Sequence, residues 1–199
     1  MVADDEDTAD DRLPVIVLCA YDAQDEVWDP VEDLSGRHWR PNGARAVSLD
    51  PDTPDRLYDA LNDQLSDRRR RAVLLLGRSR QPGQFSIQMR AENRALQGTE
   101  RLDPLGPSLA RATLPVADVL NGLGAAGLNA VATSEAEPDA GSYLLFRILS
   151  DLPDVSEAPI VGLLRVPADA TLDAARRGVK AAAAAIAAQL APLSRSQLA

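Results

Sequence analysis

A three-layer α/β/α domain with a mostly parallel central sheet is the fold this sequence predicts. Two observations carry that reading. Short apolar runs of buried-strand length alternate with stretches of helical period along most of the 199 residues. The helical stretches also open and close on recognisable capping residues. Apolar residues make up 45% of the chain, enough for a core, which excludes wholesale disorder, and the length allows one domain or at most two small ones.

The elements follow in order. Residues 13–21 (LPVIVLCAY) form a continuous apolar run, and so do 72–77 (AVLLLG) and 158–167 (APIVGLLRVP). Runs of this kind suit strands buried on both faces. ARAVSLD (44–50) and LNAVATS (128–134) are weaker strands. FSIQMRAEN (85–93) alternates Phe85, Ile87, Met89 and Ala91, the period of one strand with one buried face. Thr53 before Pro54 reads as an N-cap with proline at the first helical position, and Leu57, Leu61 and Leu65 give that helix its stripe. The helix is expected to end in the run Asp67–Arg71, where its last turn would place cations on the negative end of the dipole. A second helix opens at Thr113–Pro115, carries Val116, Val119, Leu120 and Leu123, and closes at Gly127. A third spans about Gly141 to Leu149. The last runs from about Thr171 to Leu190, and its alanine run is strong in propensity but thin in volume, so it should lie close against the sheet.

Charge and composition remove several function classes. Basic residues number 21 against 30 acidic, a net −9, and every basic residue except Lys180 is arginine. The arginine and alanine bias is that of a GC-rich bacterial genome. Residues 1–12 hold Asp4, Asp5, Glu6, Asp7, Asp10, Asp11 and Arg12, a net −5, so most of the acidity sits in an N-terminal tail expected to be disordered. The organisation expected is that tail, a domain over 13–191 and a short C-terminal tail over 192–199. An acidic chain is a poor partner for phosphate backbones, and the Arg68–Arg71 run lacks the interleaved aromatics of a nucleic-acid patch. One cysteine (Cys19) and one histidine (His38) exclude a disulfide framework, a zinc finger and most metal sites, so neither metal nor cofactor is expected. Gly122, Gly124 and Gly127 lie at a helix end, the wrong context for a dinucleotide loop. No apolar run approaches the roughly 20 residues of a membrane span, and the N-terminus is acidic where a signal peptide is basic. A soluble cytoplasmic protein is expected.

One segment resembles a known family. In 106–134, Gly106, Pro107, Thr113, Leu114, Pro115 and Val116 follow the pattern of the pyroglutamyl peptidases, cysteine peptidases that remove an N-terminal pyroglutamyl residue. AGSYLLF (140–146) is similar to that family's turn into the nucleophile helix, and GLLRVP (162–167) to its strand bearing a histidine before Val-Pro. LLLG (74–77), Ile87 and Asn93 match the strand pair carrying its glutamate, and LCAY (18–21) with Asp29 and Pro30 its first strand and pocket loop. The resemblance covers roughly residues 13–190. It implies a phosphorylase/hydrolase-like α/β/α scaffold and a homo-oligomer.

The departures from the family decide the functional expectation. Counted from Gly141, the nucleophilic cysteine position is Leu145; the histidine position is Arg165, and the glutamate position is Gln88. Leucine cannot attack, arginine stays protonated and glutamine does not titrate. A triad needs a nucleophile, a proton acceptor and an orienting group, so the inherited peptidase chemistry is blocked at all three positions. The connection from Asn93 to Gly106, part of the family's substrate pocket, is also shorter here. Cys19 ends the first strand and reads first as a small buried hydrophobe, with a relocated nucleophile as the alternative. Arg78, Arg80, Arg147 and Arg165 read as salt-bridged or solvated side chains, with an anion pocket as the alternative. Cys19, Tyr21 and Asn93 are placed at the pocket edge. The expected protein is a pseudopeptidase that binds a small anionic or peptide ligand in the degenerate cleft. The alternatives are a hydrolase of different chemistry, using the arginine cluster together with acids from nearby loops such as Asp22 or Glu92, and a residual pyroglutamyl peptidase using Cys19.

Overall fold

The continuous apolar runs of the sequence become the strands buried on both faces of one sheet. The computed structural model describes residues 13–21, 41–50, 52–153, 155 and 157–190. The tails assigned to 1–12 and 192–199, together with residue 191, Asp22, Asp29, Pro30 and His38, lie outside the described residues. In chain order the elements are β1 (Val15–Ala20), β2 (Arg45–Leu49), α1 (Pro54–Ser66), β3 (Arg70–Arg78), β4 (Phe85–Gln88), β5 (Arg90–Glu92), β6 (Leu109–Arg111), α2 (Val116–Ala125), β7 (Ala130–Thr133), α3 (Ala140–Asp151), β8 (Ile160–Val166) and α4 (Leu172–Ala188).

Six strands form a sheet in the order β2-β1-β3-β8-β4-β7. Every neighbouring pair is parallel except β4 with β8, where Ser86 faces Arg165 and Gln88 faces Leu163. The expected α/β architecture with a mostly parallel sheet is what the chain adopts. Successive side chains of a strand point to opposite faces, so β8 sends Leu164 and Val166 beneath α2 and α4, and Leu163 beneath α1 and α3. On the α1/α3 side, Leu57 and Leu61 of the α1 stripe meet Val17, Cys19, Val73 and Leu75. On the other side, Val119 and Leu123 of α2 and Val179, Ala182, Ala183 and Ile186 of α4 cover Ile16, Leu18, Leu74 and Ile87. The alanine run of α4 lies close to the sheet as its composition predicts: Gly178 sits against the Phe85 ring, where a Cβ would overlap the ring.

Four details differ from the sequence reading. The 85–93 segment is two strands rather than one. It breaks at Met89, whose N–H donates to Thr133 and whose carbonyl accepts from Ala112, and β5 then pairs with β6 in a separate two-stranded sheet. The α1 helix ends at Ser66, so Arg68–Arg71 form a turn and the start of β3 rather than a last helical turn. Asp67 at the helix end explains this, because Arg69 and Arg70 both fold back onto its carboxylate. Thr53 occupies the N-cap position of α1 without making a side-chain cap bond, whereas Thr171 caps α4 through the Ala174 N–H. The second helix begins at Val116, after the expected opening at Thr113–Pro115, and the Thr113 hydroxyl accepts from the Val161 N–H and donates to the Pro159 carbonyl, tying the segment before α2 to β8.

Candidate functional site

Arg165 is on the face of β8 that looks toward α3, one residue after the aliphatic Leu164, and it is 1% exposed. A buried guanidinium must find partners for its N–H groups, since leaving a charge unpaired in the interior costs several kcal/mol. Three elements supply them. The antiparallel pairing of β4 with β8 brings Gln88 onto the same face, and its Oε1 accepts from Arg165 Nε at 3.2 Å and Nη2 at 2.9 Å. The N-terminus of α3 supplies Asp139 and Ser142. Asp139 accepts from Nη1 at 2.5 Å and from Nη2 at 2.9 Å, a two-pronged carboxylate contact, and Ser142 Oγ accepts from Nη2 at 3.1 Å. The end of β1 supplies Tyr21, whose hydroxyl accepts from Nη1 at 2.8 Å and donates to Asp139 at 3.0 Å. Glu137 lies 3.7 Å from Nε.

The rest of the cluster is equally satisfied. Gln88 Nε2 donates to the Arg90 carbonyl at 2.9 Å and to Ser142 Oγ at 3.1 Å. Asp139 is also the N-cap of α3, accepting from the Ser142 N–H at 2.9 Å. Two glycines make room for the ring of Tyr21: a methyl group on Gly77 or Gly141 would overlap it. Among the described residues, Arg45 Nε is the only buried side-chain polar atom without a partner, and it belongs to β2 rather than to this cluster.

Electrostatics fix the charge states. Burial works against the Asp139 carboxylate, but the hydrogen bond and charge of Arg165, with the Ser142 N–H and Tyr21, outweigh it and hold its pKa below the usual range. Burial also works against the Arg165 cation, and Asp139, Tyr21 and Glu137 more than restore it. The Tyr21 hydroxyl is pushed up chiefly by burial, against the pull of Arg165 and with the charge of Asp139 reinforcing it. The cluster is an Arg165–Asp139 ion pair with Gln88, Ser142 and Tyr21 as neutral partners and Glu137 at its edge. The Ser142 hydroxyl has glutamine and arginine on it, neither of which takes a proton.

The positions singled out in the sequence are distributed as follows. Gln88 and Arg165 are joined by hydrogen bonds, while Leu145, one turn beyond Ser142 on α3, is fully buried in the core shared with Cys19, Leu75 and Leu163. Cys19 is fully buried and burial pushes its thiol up to about 12, which leaves it a thiol rather than a thiolate at neutral pH. Asn93 clasps the 93–107 connection, accepting from the Asp103 N–H and donating to the Asp103 and Pro107 carbonyls.

The four arginines go to different places. Arg78 follows Gly77, the register partner of Arg165, so it points to the opposite face of the sheet and donates to the Pro167 carbonyl at 2.8 Å. Arg147 pairs with Asp55 at 2.9 Å and lies 3.5 Å over the Tyr58 ring, at the α1–α3 interface. Arg80 and Arg165 border a common cleft. It measures about 200 Å³ and is also lined by Ser79, Glu135 and Glu137. Arg80 is 73% exposed and 3.9 Å from Glu137. Glu92 borders a hollow of about 20 Å³ with Asp139 and Ser142, room for about one water.

Sequence reasoning missed Asp139, Ser142 and Glu137. Asp139 had a local signal: an Asp three residues before Ser142 at a helix start is an N-cap. Its pairing with Arg165 had none. Among the described residues, no group of three or more His, Cys, Asp or Glu is arranged to hold a metal ion, and no helix is long and apolar enough to cross a membrane.

Comparison with known proteins places this architecture. No family model matches the sequence, and no curated protein matches it. Solved structures do. The pyroglutamyl peptidase I of Bacillus amyloliquefaciens superposes with a TM-score of 0.77 at 16% identity, over 88% of this chain and 95% of that one. The pyrrolidone carboxyl peptidase of Thermus thermophilus gives 0.68 at 22% identity over 85% and 98%, and that of Thermococcus litoralis 0.73 at 16% over 87% and 93%. The chain has the fold of the pyroglutamyl peptidases.

Proposed function

We propose that this chain is a non-hydrolytic protein on the pyroglutamyl-peptidase fold, acting by binding rather than by peptide cleavage. One observation carries the reading. The two residues that the resemblance places at the catalytic histidine and glutamate, Arg165 and Gln88, are bonded to each other and locked to Asp139, Ser142 and Tyr21. A buried pair in which every nitrogen is engaged is a structural device, with no lone pair left to accept a nucleophile's proton. The third position is the core residue Leu145. Cys19, the remaining thiol, is buried and protonated.

The ligand reading shifts with the geometry. Arg165 is neutralised by Asp139, so the cleft beside it presents one exposed cation, Arg80, next to Glu135 and Glu137. That arrangement favours a small ligand with both charges, such as an amino acid or short peptide, over a simple anion.

The test is release of a fluorescent amine from a pyroglutamyl amide by the purified protein. The expected result is no turnover above background. Thiol-sensitive turnover that is lost in Cys19→Ser would overturn the reading and make Cys19 a nucleophile. The variant carrying Gln88→Glu, Leu145→Cys and Arg165→His together restores the triad residue types, whereas Leu145→Cys alone leaves no base and stays inactive.

A further inference from the structure

At the edge of the sheet where β1, β3 and β8 begin, the surface carries a feature that the cluster around Arg165 does not use. Two adjoining hollows of about 470 and 310 Å³ share Leu65, Pro153 and Pro159 as apolar walls. Val155, 56% exposed, extends the apolar lining. Arg68, Arg70 and Arg71 stand along the larger hollow, with Glu157 as an acid in its lining. Arg70 is tied to Asp67 and Gln64. Among the described residues, by contrast, no acid pairs with Arg68 or Arg71. The larger hollow is therefore a groove with a basic excess, three arginines against Glu157, while Asp63 and Asp151 line the smaller one, on a chain whose net charge is −9.

We propose that the acidic segment 4–11 of this same chain docks in that groove. Three observations choose it over other occupants. Charge complementarity is the first: six acids lie within residues 4–11, the densest negative charge in the sequence. Place of attachment is the second. The chain enters β1 beside the groove, since Val15 is the register partner of Arg70 and its N–H donates to the Arg69 carbonyl at 2.7 Å. Reach is the third, because twelve residues at about 3.3–3.6 Å each span about 40 Å, ample for a hollow at their point of origin. A segment tethered there meets the groove at an effective concentration in the millimolar range, which an acidic partner in solution does not match.

The experiment uses the full chain. Ala3→Cys introduces the reactive thiol for a nitroxide label, because Cys19 is buried and protonated. Expected is broadening of the Arg68, Arg71, Val155 and Glu157 amides at low salt. Their intensity should recover at about 1 M salt, where the Debye length falls to about 3 Å. The same recovery is expected in two independent variants. One carries Arg68→Gln with Arg71→Gln; the other replaces the six acids by Asn or Gln and leaves the folded domain untouched. Broadening that is the same in all variants and salts would mean the segment passes the groove without docking, and overturns the proposal. Broadening that appears only when labelled chains are mixed with unlabelled, isotope-enriched ones would assign the groove to a second copy's segment, and overturns docking within one chain.

Discussion

The face of the sheet under α2 and α4 is closed by aliphatic side chains and Phe85, whereas the face under α1 and α3 buries an arginine, a glutamine and a serine among its leucines. Neighbouring residues on one strand illustrate the difference. Leu164 contributes contact area that scales with its size, and nothing else in the core depends on its chemistry. Arg165 contributes only as long as Asp139, Gln88, Ser142 and Tyr21 are all in place. A buried polar network is stable when complete and costly when one member is missing. The first face therefore tolerates volume-conserving change and is indifferent to pH, while the second behaves as a unit.

The largest expected effect tests that contrast directly. Arg165→Met leaves Asp139 buried without its cation and should cost about 3–5 kcal/mol in chemical denaturation. Leu164→Ala on the other face should cost a comparable amount, about 2–5 kcal/mol. The two differ in rescue: adding Asp139→Asn to Arg165→Met should recover part of the loss. A double variant no more stable than the single one would break the comparison. Next in size is Gly178→Ala, which drives a methyl group into the Phe85 ring. Overpacking of this kind costs about 1–3 kcal/mol, and the loss should be independent of pH.

A smaller effect is acid sensitivity. The folded-state pKa of Asp139 lies below its unfolded value of about 3.9, so its contribution is complete above that pH and drains away as pH falls through the folded value. Denaturation midpoints between pH 5 and pH 2 should fall more steeply in the wild type than in Arg165→Met, where the cation that holds the Asp139 pKa down is gone. Equal slopes would remove the ion pair from the account. The smallest change is chemical. With its thiol pKa at about 12 and no exposure, Cys19 should not react with a disulfide reagent at pH 8 until the chain is unfolded.

How much of this was legible in the sequence depends on the range of the interaction involved. β1, β3 and β8 are continuous apolar runs, and burial on both faces follows from composition alone. The helix stripes Leu57–Leu61 and Val119–Leu123 are equally local. The strand break at Met89 was not legible, because a period of two continues through Phe85, Ile87, Met89 and Ala91. The two halves nevertheless join different sheets and send Ile87 and Ala91 to opposite cores. Asp139 and Arg165 are 26 residues apart, and nothing in either segment announces the other. Their meeting requires α3 to cross over the end of β8. Aligning with the triad positions identified Gln88 and Arg165 as the places to look, but only the antiparallel register of β4 on β8 shows them bonded to each other.

That register has a consequence for a shortened chain. In the sheet order, β8 lies between β3 and β4, yet among the described residues it is the last strand in the chain. Without residues 160–166 the strand order divides into β2-β1-β3 and β4-β7, each with an edge that β8 otherwise covers. The edge of β3 carries Val73, Leu74, Leu75 and Leu76, an apolar strand of the kind that pairs with other chains when left uncovered. β8 thus acts as a keystone. A chain truncated before Ile160 should therefore leave the β3 edge uncovered and be more prone to pair with other chains than the full chain, as light scattering would show.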